Sequence, residues 1–374
     1  MIRRLFIDNY KCFCNSEILM PSGRVLISGP NGAGKTTFFD VLELLKSVIC
    51  RGVNVNSDIS LLGDTYTRWK PKTGGLTQRF ELDVEGCGGV FRYEFVVDNL
   101  GKQGAVRIKS EKLLFDGHPL FEYSESMVHL YDNDDYAEKV RFGADWSKSF
   151  MSSVVDRPEN SKLIWFRDRI DKSVFLKPNP WAINSAATTE AKSLDRNMAN
   201  FAQWFRYLRQ VLPDGVYADL RRDLEFALPG FGGMRLADLG DSAKELRVQL
   251  TGEEYSLKEL SDGQRLIVAL YTAFRSAVSE GSVFCVDEPD NFLGLAEIVP
   301  LVSTLLEDDG SSGQHIVASH HPEFYNRVPD GCGLWFSRKS EADGSATRVE
   351  SFESVFGGRR GLTISEVVSR EWEN

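Results

Sequence analysis

Nine residues constrain this chain most: "GPNGAGKTT", Gly29 to Thr37. They follow the apolar run "RVLISG" and open the segment "KTTFFDVLELLKSVI". In that segment Phe38, Val41, Leu42, Leu45, Val48 and Ile49 fall on one helical face. Strand, glycine-rich turn and helix, in this order, form the setting of a phosphate-binding loop. Gly29, Gly32 and Gly34 let backbone N–H groups around Asn31, Ala33 and Thr37 turn inward to a phosphate chain. Lys35 reaches its β/γ oxygens, and the Thr36 hydroxyl ligates Mg²⁺. The positive end of the helix adds to the attraction.

The 374 residues predict two lobes, or one large domain with insertions. No stretch approaches ~18 uncharged apolar residues, so no membrane span is expected. The charged, alternating start "MIRRLFIDNYKCF" is unlike a signal peptide. Six cysteines without a CxxC pair read as reduced thiols of a cytoplasmic protein. With a net charge of −10, any nucleic-acid contact needs a local patch or a partner.

The pattern predicts an α/β fold in four segments. Residues 1–76 carry short strands at 2–8 and 24–28, the phosphate loop and a polar loop from 52. Residues 77–131 alternate with period two between Gly and Asp turns, as in an antiparallel β lobe. Residues 132–243 form a helical and irregular insertion. There "RNMANFAQWFRYLRQVL" sets Met198, Phe201, Trp204, Phe205, Leu208, Val211 and Leu212 on one core-facing stripe, and a second helix spans 214–227. Residues 244–374 return to α/β, with "SVFCVDEP" and "QHIVASHHP" as buried strands ending in polar residues and "TISEVVSREW" as a closing helix. No sustained heptads occur between 38 and 255, so long coiled-coil arms are excluded.

"VFCVDE" delivers two adjacent carboxylates to a strand tip. Asp287 would hold the Mg²⁺ shell, and Glu288 would polarise an attacking water; two buried like charges are costly without a cation. In "LKELSDGQRLIVALYTAF", Ser261, Gly263 and Gln264 stand at the start of an apolar helix, 22 residues before the "VFCVDE" strand. That turn is a second anion site, although a serine there also serves as a simple N-cap.

At "LSDGQ" the sequence resembles the ABC ATPase superfamily, whose signature reads LSGGQ. The resemblance implies ATP and Mg²⁺ as cofactors, Glu288 as the catalytic base and His320 of "IVASHHPEF" as the switch histidine, with His321 beside it. It also implies a homodimer, alone or within a larger oligomer, in which each signature helix meets the γ-phosphate bound to the other chain. Gly294 stands where the family often has the D-loop Asp, which puts cross-subunit coupling through that residue in doubt. Gln78 has the spacing of the Q-loop glutamine, but the hairpin lobe prevents a firm alignment.

The opening "FIDNYKCFCNSEI" is similar to structural-maintenance-of-chromosomes (SMC) and RecF-type heads. Together with "VDEPDNF" and "SHHPE" it resembles short, armless bacterial ATPases related to the OLD (overcoming lysogenization defect) family. This implies an ABC-ATPase head with a mainly parallel core sheet, an antiparallel β lobe and an inserted helical lobe. Only 53 residues follow His321. A Toprim nuclease domain needs roughly 100, so nuclease activity is expected of a partner. The relatives imply an ATPase that senses or clamps DNA or RNA and controls a nuclease or toxin effector, in anti-phage defence. A RecF-like DNA-repair ATPase and a regulatory or transporter-related cassette stay open. Two cation clusters are candidates for nucleic-acid contact: Lys102, Arg107, Lys109 and Lys112, and Arg206, Arg209, Arg221 and Arg222.

Overall fold

The computed structural model describes residues 1–57, 61, 65–67, 77–99, 105–240, 242–307, 313–338, 346–356 and 363–371. The chain begins with β1 (Ile2–Asp8), β2 (Ser16–Leu19), β3 (Arg24–Ser28) and α1 (Lys35–Lys46). Six strands follow: β4 (Thr77–Gly86), β5 (Gly89–Asn99), β6 (Val106–Phe115), β7 (His118–Ser124), β8 (Met127–Tyr131) and β9 (Glu138–Gly143). Next come α2 (Ser161–Asp171), β10 (Val174–Leu176), β11 (Ala186–Ala187), α3 (Phe201–Val211) and α4 (Asp214–Ala227). Then β12 (Phe231–Leu239), β13 (Ala243–Leu250) and β14 (Glu253–Ser256) precede α5 (Asp262–Ser279) and β15 (Val283–Asp287). The last part holds α6 (Leu295–Val302), β16 (Gln314–Ala318), α7 (Pro322–Arg327), β17 (Gly333–Arg338), β18 (Thr347–Ser351), α8 (Phe352–Phe356) and α9 (Ile364–Glu371).

These elements group into two compact units, each built from separated stretches of chain. The first comprises residues 1–22, 28–173 and 334–355. Its main feature is an eight-stranded antiparallel sheet in the order β2-β1-β4-β5-β6-β7-β8-β9. Two-residue turns with both φ angles positive close its hairpins: Cys87-Gly88, Asp116-Gly117 and Glu125-Ser126. Such turns match the strands' own right-handed twist. The alternation seen from 77 to 131 is therefore real, but the sheet is larger than that range. β1 and β2 extend one side and β9 the other. α1 buries Phe38, Val41, Leu42 and Leu45, and a single π turn (Ser47–Arg51) carries on through Val48 and Ile49. Gly52, at φ 57°, ends it.

The second unit comprises residues 23–27, 174–333 and 356–374. Its sheet runs β10-β15-β16-β3, all parallel. Every residue of β15 and β16 is buried, as expected for continuous apolar runs in a parallel sheet. Phe274 of α5 packs edge-on against Phe284 and His315. A smaller antiparallel sheet joins β11, β13 and β12, with β14 paired to β13. The sequence pattern missed these strands and β10. β12 and β13 carry charge on their open faces, and β10 is three residues long beside two prolines. α3 buries Phe201, Trp204, Phe205 and Leu208 as expected, whereas Val211, at its end, is exposed. No described helix is long and apolar enough to cross a membrane.

Candidate nucleotide site

In the first unit the phosphate loop connects the end of β3 to α1. Gly29 and Gly34 have φ angles of 138° and 108°, open to glycine and strained for other residues. Space is equally restrictive. A Cβ on Gly29 would lie 1.9 Å from the Phe336 carbonyl oxygen, and one on Gly34 2.8 Å from Cys12 Sγ. Thr347 fastens the loop by donating to the Ala33 carbonyl at 2.9 Å. Asn31 and Gly32 are exposed, Ala33 is buried, and Thr36 and Thr37 are half-buried. Lys35 is buried and donates to the Gly29 and Pro30 carbonyls at 2.7 and 3.2 Å. With Gly34 at the N-cap, no side-chain hydrogen bond caps α1. The result is a rigid backbone cradle with one ammonium, the composition of an anion site.

In the second unit, strand register aligns three strand ends. Asp287 pairs across to Ala318, and Ala318 to Ile27. Each strand then runs directly into a polar segment: Glu288, Ser319-His320, and Ser28 with the phosphate loop. Carboxyl ends of parallel strands are where α/β sheets place their ligands. Asp287 is buried, with Lys177 Nζ 3.4 Å from its Oδ2. Glu288 has φ 54°, a left-handed conformation that costs energy for a non-glycine residue. Its backbone N–H donates to Ala318 at 2.8 Å, and Asn291 Nδ2 donates to its Oε2 at 3.1 Å. Burial raises the Asp290 carboxyl above its ordinary value, against a hydrogen bond from Ser319. His321 Nδ1 accepts the Glu323 N–H at 3.2 Å and so caps α7. That bond leaves Nε2 to carry the proton of a neutral ring, and gives His321 a structural task; His320 is half-buried.

The Ser261 turn lies in this same unit as Asp287, Glu288 and His320. Ser261 Oγ accepts the Gln264 N–H at 3.2 Å, and Gln264 Oε1 accepts the Ser261 N–H at 3.0 Å. This is a reciprocal capping box. The sequence did not single out Arg265, whose guanidinium donates to the carbonyls of Leu257, Lys258, Leu260 and Pro180 and fixes the turn. Lys177 and Thr347 were also missed, because their partners lie far off in the chain and no local spacing marks them.

Other expectations fare differently. Gln78 is fully buried in β4 and donates to Asn9 O and Thr65 Oγ1, so its role is to hold the first unit's sheet. Gly294 precedes α6, and its N–H donates to Glu297 Oε2 at 2.7 Å. The cation clusters are ion-paired: Arg107 and Lys109 with Asp98, Lys112 with Glu122, Arg206 with Glu190, Arg221 with Glu225 and Arg222 with Asp219. Arg209 stacks over Tyr217. Neither cluster is a bare phosphate-binding surface; Lys102 lies outside the described residues. Among the described residues no group of three or more His, Cys, Asp or Glu could hold a metal. Mg²⁺ characteristically takes one or two protein oxygens plus phosphate oxygens and water; in the second unit the buried Asp287 carboxylate is an oxygen donor of that kind.

The family model described as "AAA domain, putative AbiEii toxin, Type IV TA system" matches residues 25–326. No curated protein sequence matches the chain. Among solved structures, an SMC head bound to the C-winged helix domain of ScpA is similar at 13% identity and a TM-score of 0.55, over 95% of this chain and 99% of that one. The SMC head domain from Thermotoga maritima aligns at 15% identity and a TM-score of 0.49, over 94% and 99%. The former likeness gives the fold, an ABC-type α/β head of the SMC kind. The family model spans most of the chain, and the chain belongs to the AAA_21 family.

Proposed function

We propose that this protein binds and hydrolyses ATP with Mg²⁺. The observation that carries the reading is the row Asp287–Ala318–Ile27, which sets the carboxylate pair, the His320 segment and the chain leading into the phosphate loop at the ends of parallel strands. Lys35 and the N–H groups from Asn31 to Thr37 take the phosphates. Thr36 and Asp287 hold Mg²⁺, which supplies charge for the developing transition state. Glu288 accepts a proton from the attacking water, and His320 contacts the γ-phosphate.

The active unit in this reading is a homodimer, alone or within a larger assembly. The Ser261, Gly263 and Gln264 turn of each chain completes the other chain's site. ATP then holds the dimer together and hydrolysis releases it, a binding difference that can drive a partner. That partner is an effector, a nuclease or toxin, and the trigger is DNA, RNA or another foreign molecule. The toxin and antitoxin wording of the family description supports a bacterial defence setting.

Size-exclusion light scattering tests it. Glu288→Gln with ATP should be more dimeric than with ADP, and adding Ser261→Arg should abolish the difference while the single chain still binds ATP. A mass independent of nucleotide, with full hydrolysis in Ser261→Arg, would overturn the shared site.

A further inference from the structure

The turn "LSDGQ" has Asp262 where the superfamily signature has glycine. A carboxylate in the first turn suits the helix dipole. It also repels any phosphate that approaches the same end. In the structure each of its oxygens faces a side-chain donor. Trp181 Nε1 donates to Asp262 Oδ2 at 2.8 Å, and Arg265 Nη1 lies 3.9 Å from Oδ1.

Three contacts fix the Trp181 segment, two through its backbone and one through the ring. Arg265 Nη1 donates to the Pro180 carbonyl at 2.9 Å. The Trp181 N–H donates to Asn179 Oδ1 at 3.1 Å. The ring meets Phe292 edge-on, with centroids 5.1 Å apart at 74°. Phe292 itself has φ 74°, and its carbonyl oxygen would stand 2.9 Å from a Cβ on Gly263. The signature turn and the loop after Glu288 therefore meet around Trp181. Burial does not explain a tryptophan here, because 70% of it is exposed. Its N–H has a task that phenylalanine could not perform.

We infer that Trp181 is a positioning residue for the Ser261 turn: it swings the Asp262 carboxylate off the helix end, so that an anion can reach Ser261 and Gly263. The inference rests on the reading that this turn receives a nucleotide phosphate. Trp181→Phe keeps an aromatic ring at this position and removes the indole Nε1–H together with the second ring; the Asp262→Gly rescue separates the two losses.

The test measures ATP-dependent dimerisation in the Glu288→Gln protein. Trp181→Phe should raise the concentration for half-dimerisation by about tenfold, the usual scale of a hydrogen bond to a charged group. ATP affinity of the single chain should not change. The defect should shrink as salt is added, because a freed carboxylate is screened. A second change, Asp262→Gly, should restore dimerisation, and Asp262→Asn alone should dimerise at least as well as the parent. Normal dimerisation in Trp181→Phe, or a defect that Asp262→Gly fails to relieve, overturns the role of Trp181. Ser261→Arg is run alongside. If it dimerises normally, the phosphate reading of the turn falls as well; if it fails while Trp181→Phe is normal, only the role of Trp181 falls.

Discussion

Glu111 in the first unit and Asp287 in the second are each only 1% exposed, and the two are treated in opposite ways. Glu111 lies within β6 of the antiparallel sheet. One of its oxygens accepts from Tyr93 Oη and from Ser149 Oγ, both at 2.7 Å. Burial pushes its carboxyl up to about 7, against those two bonds. Asp287 ends a parallel strand, with the Lys177 ammonium 3.4 Å away. A mid-strand acid can be met only by neighbouring strands and loops, so it is supplied with hydroxyls and inclines to neutrality. A strand-end acid faces the segments that follow the sheet, where a cation can reach it. Position along the strand separates a structural carboxyl from one suited to a metal.

The largest effect expected from breaking this contrast is at Asp287. Asp287→Asn keeps the shape and removes the charge. Mg²⁺-dependent ATP hydrolysis should fall by about a hundredfold or more, since charge stabilisation by a bound metal is worth several kcal/mol. Thermal stability should change little, because the exposed Lys177 left behind is solvated. Steady-state phosphate release and a melting curve check both halves. Glu111→Gln should do the reverse and leave hydrolysis unchanged.

The second expectation concerns pH. The Glu111 carboxyl is raised from 4.5 to about 7 in the folded protein. The folded state therefore binds the proton more tightly than the unfolded chain. Its stability falls as pH rises from about 4.5 to about 7 and is flat for this group on either side. The size is on the order of 3 kcal/mol. Glu111→Gln should remove that slope and be relatively more stable at pH 8 than at pH 5. Denaturant midpoints at the two values measure it; parallel curves for both proteins would break the contrast.

How far the sequence could be read follows the same division. The strand that ends at Asp287 was legible because a short apolar run bounded by polar residues reads as a buried parallel strand. The phosphate loop was legible because glycine spacing and the flanking elements agree, and Gly29 and Gly34 do take conformations closed to other residues. Glu111 was not legible. Strict alternation from Arg107 and Lys109 would turn it to solvent. The β5–β6 register slips between Val96 and Val97, pairing Ser110 with Val96 and Ile108 with Val97, so Lys109 is the extra residue. One bulge reverses the phase, and Glu111 turns inward. The antiparallel lobe was read from its turns, but its true width was hidden because β1 reaches it from the start of the chain, far from 77–131. Trp181, Lys177 and Arg265 act through partners that no local pattern connects.

The smallest effect sharpens the contrast most. Lys177 is 47% exposed, whereas Asp287 is 1% exposed. The ammonium gives Asp287 a counter-charge, but an exposed one is screened by water and worth at most about 1 kcal/mol. It also lies beside the carboxylate that would help to hold Mg²⁺ in the proposed site. Lys177→Gln removes this competition. The Mg²⁺ concentration for half-maximal hydrolysis should fall, by up to about fivefold on the same energy scale. The maximal rate should hold, because the lysine is displaced once the metal binds. A Mg²⁺ titration of initial rates reads both quantities. A higher Mg²⁺ requirement in Lys177→Gln would mean that the lysine contacts the nucleotide and belongs to the site. A lower requirement with an unchanged maximum would make Lys177 the resident cation of the Asp287 carboxylate, a partner that the hydroxyl-bound Glu111 does not have.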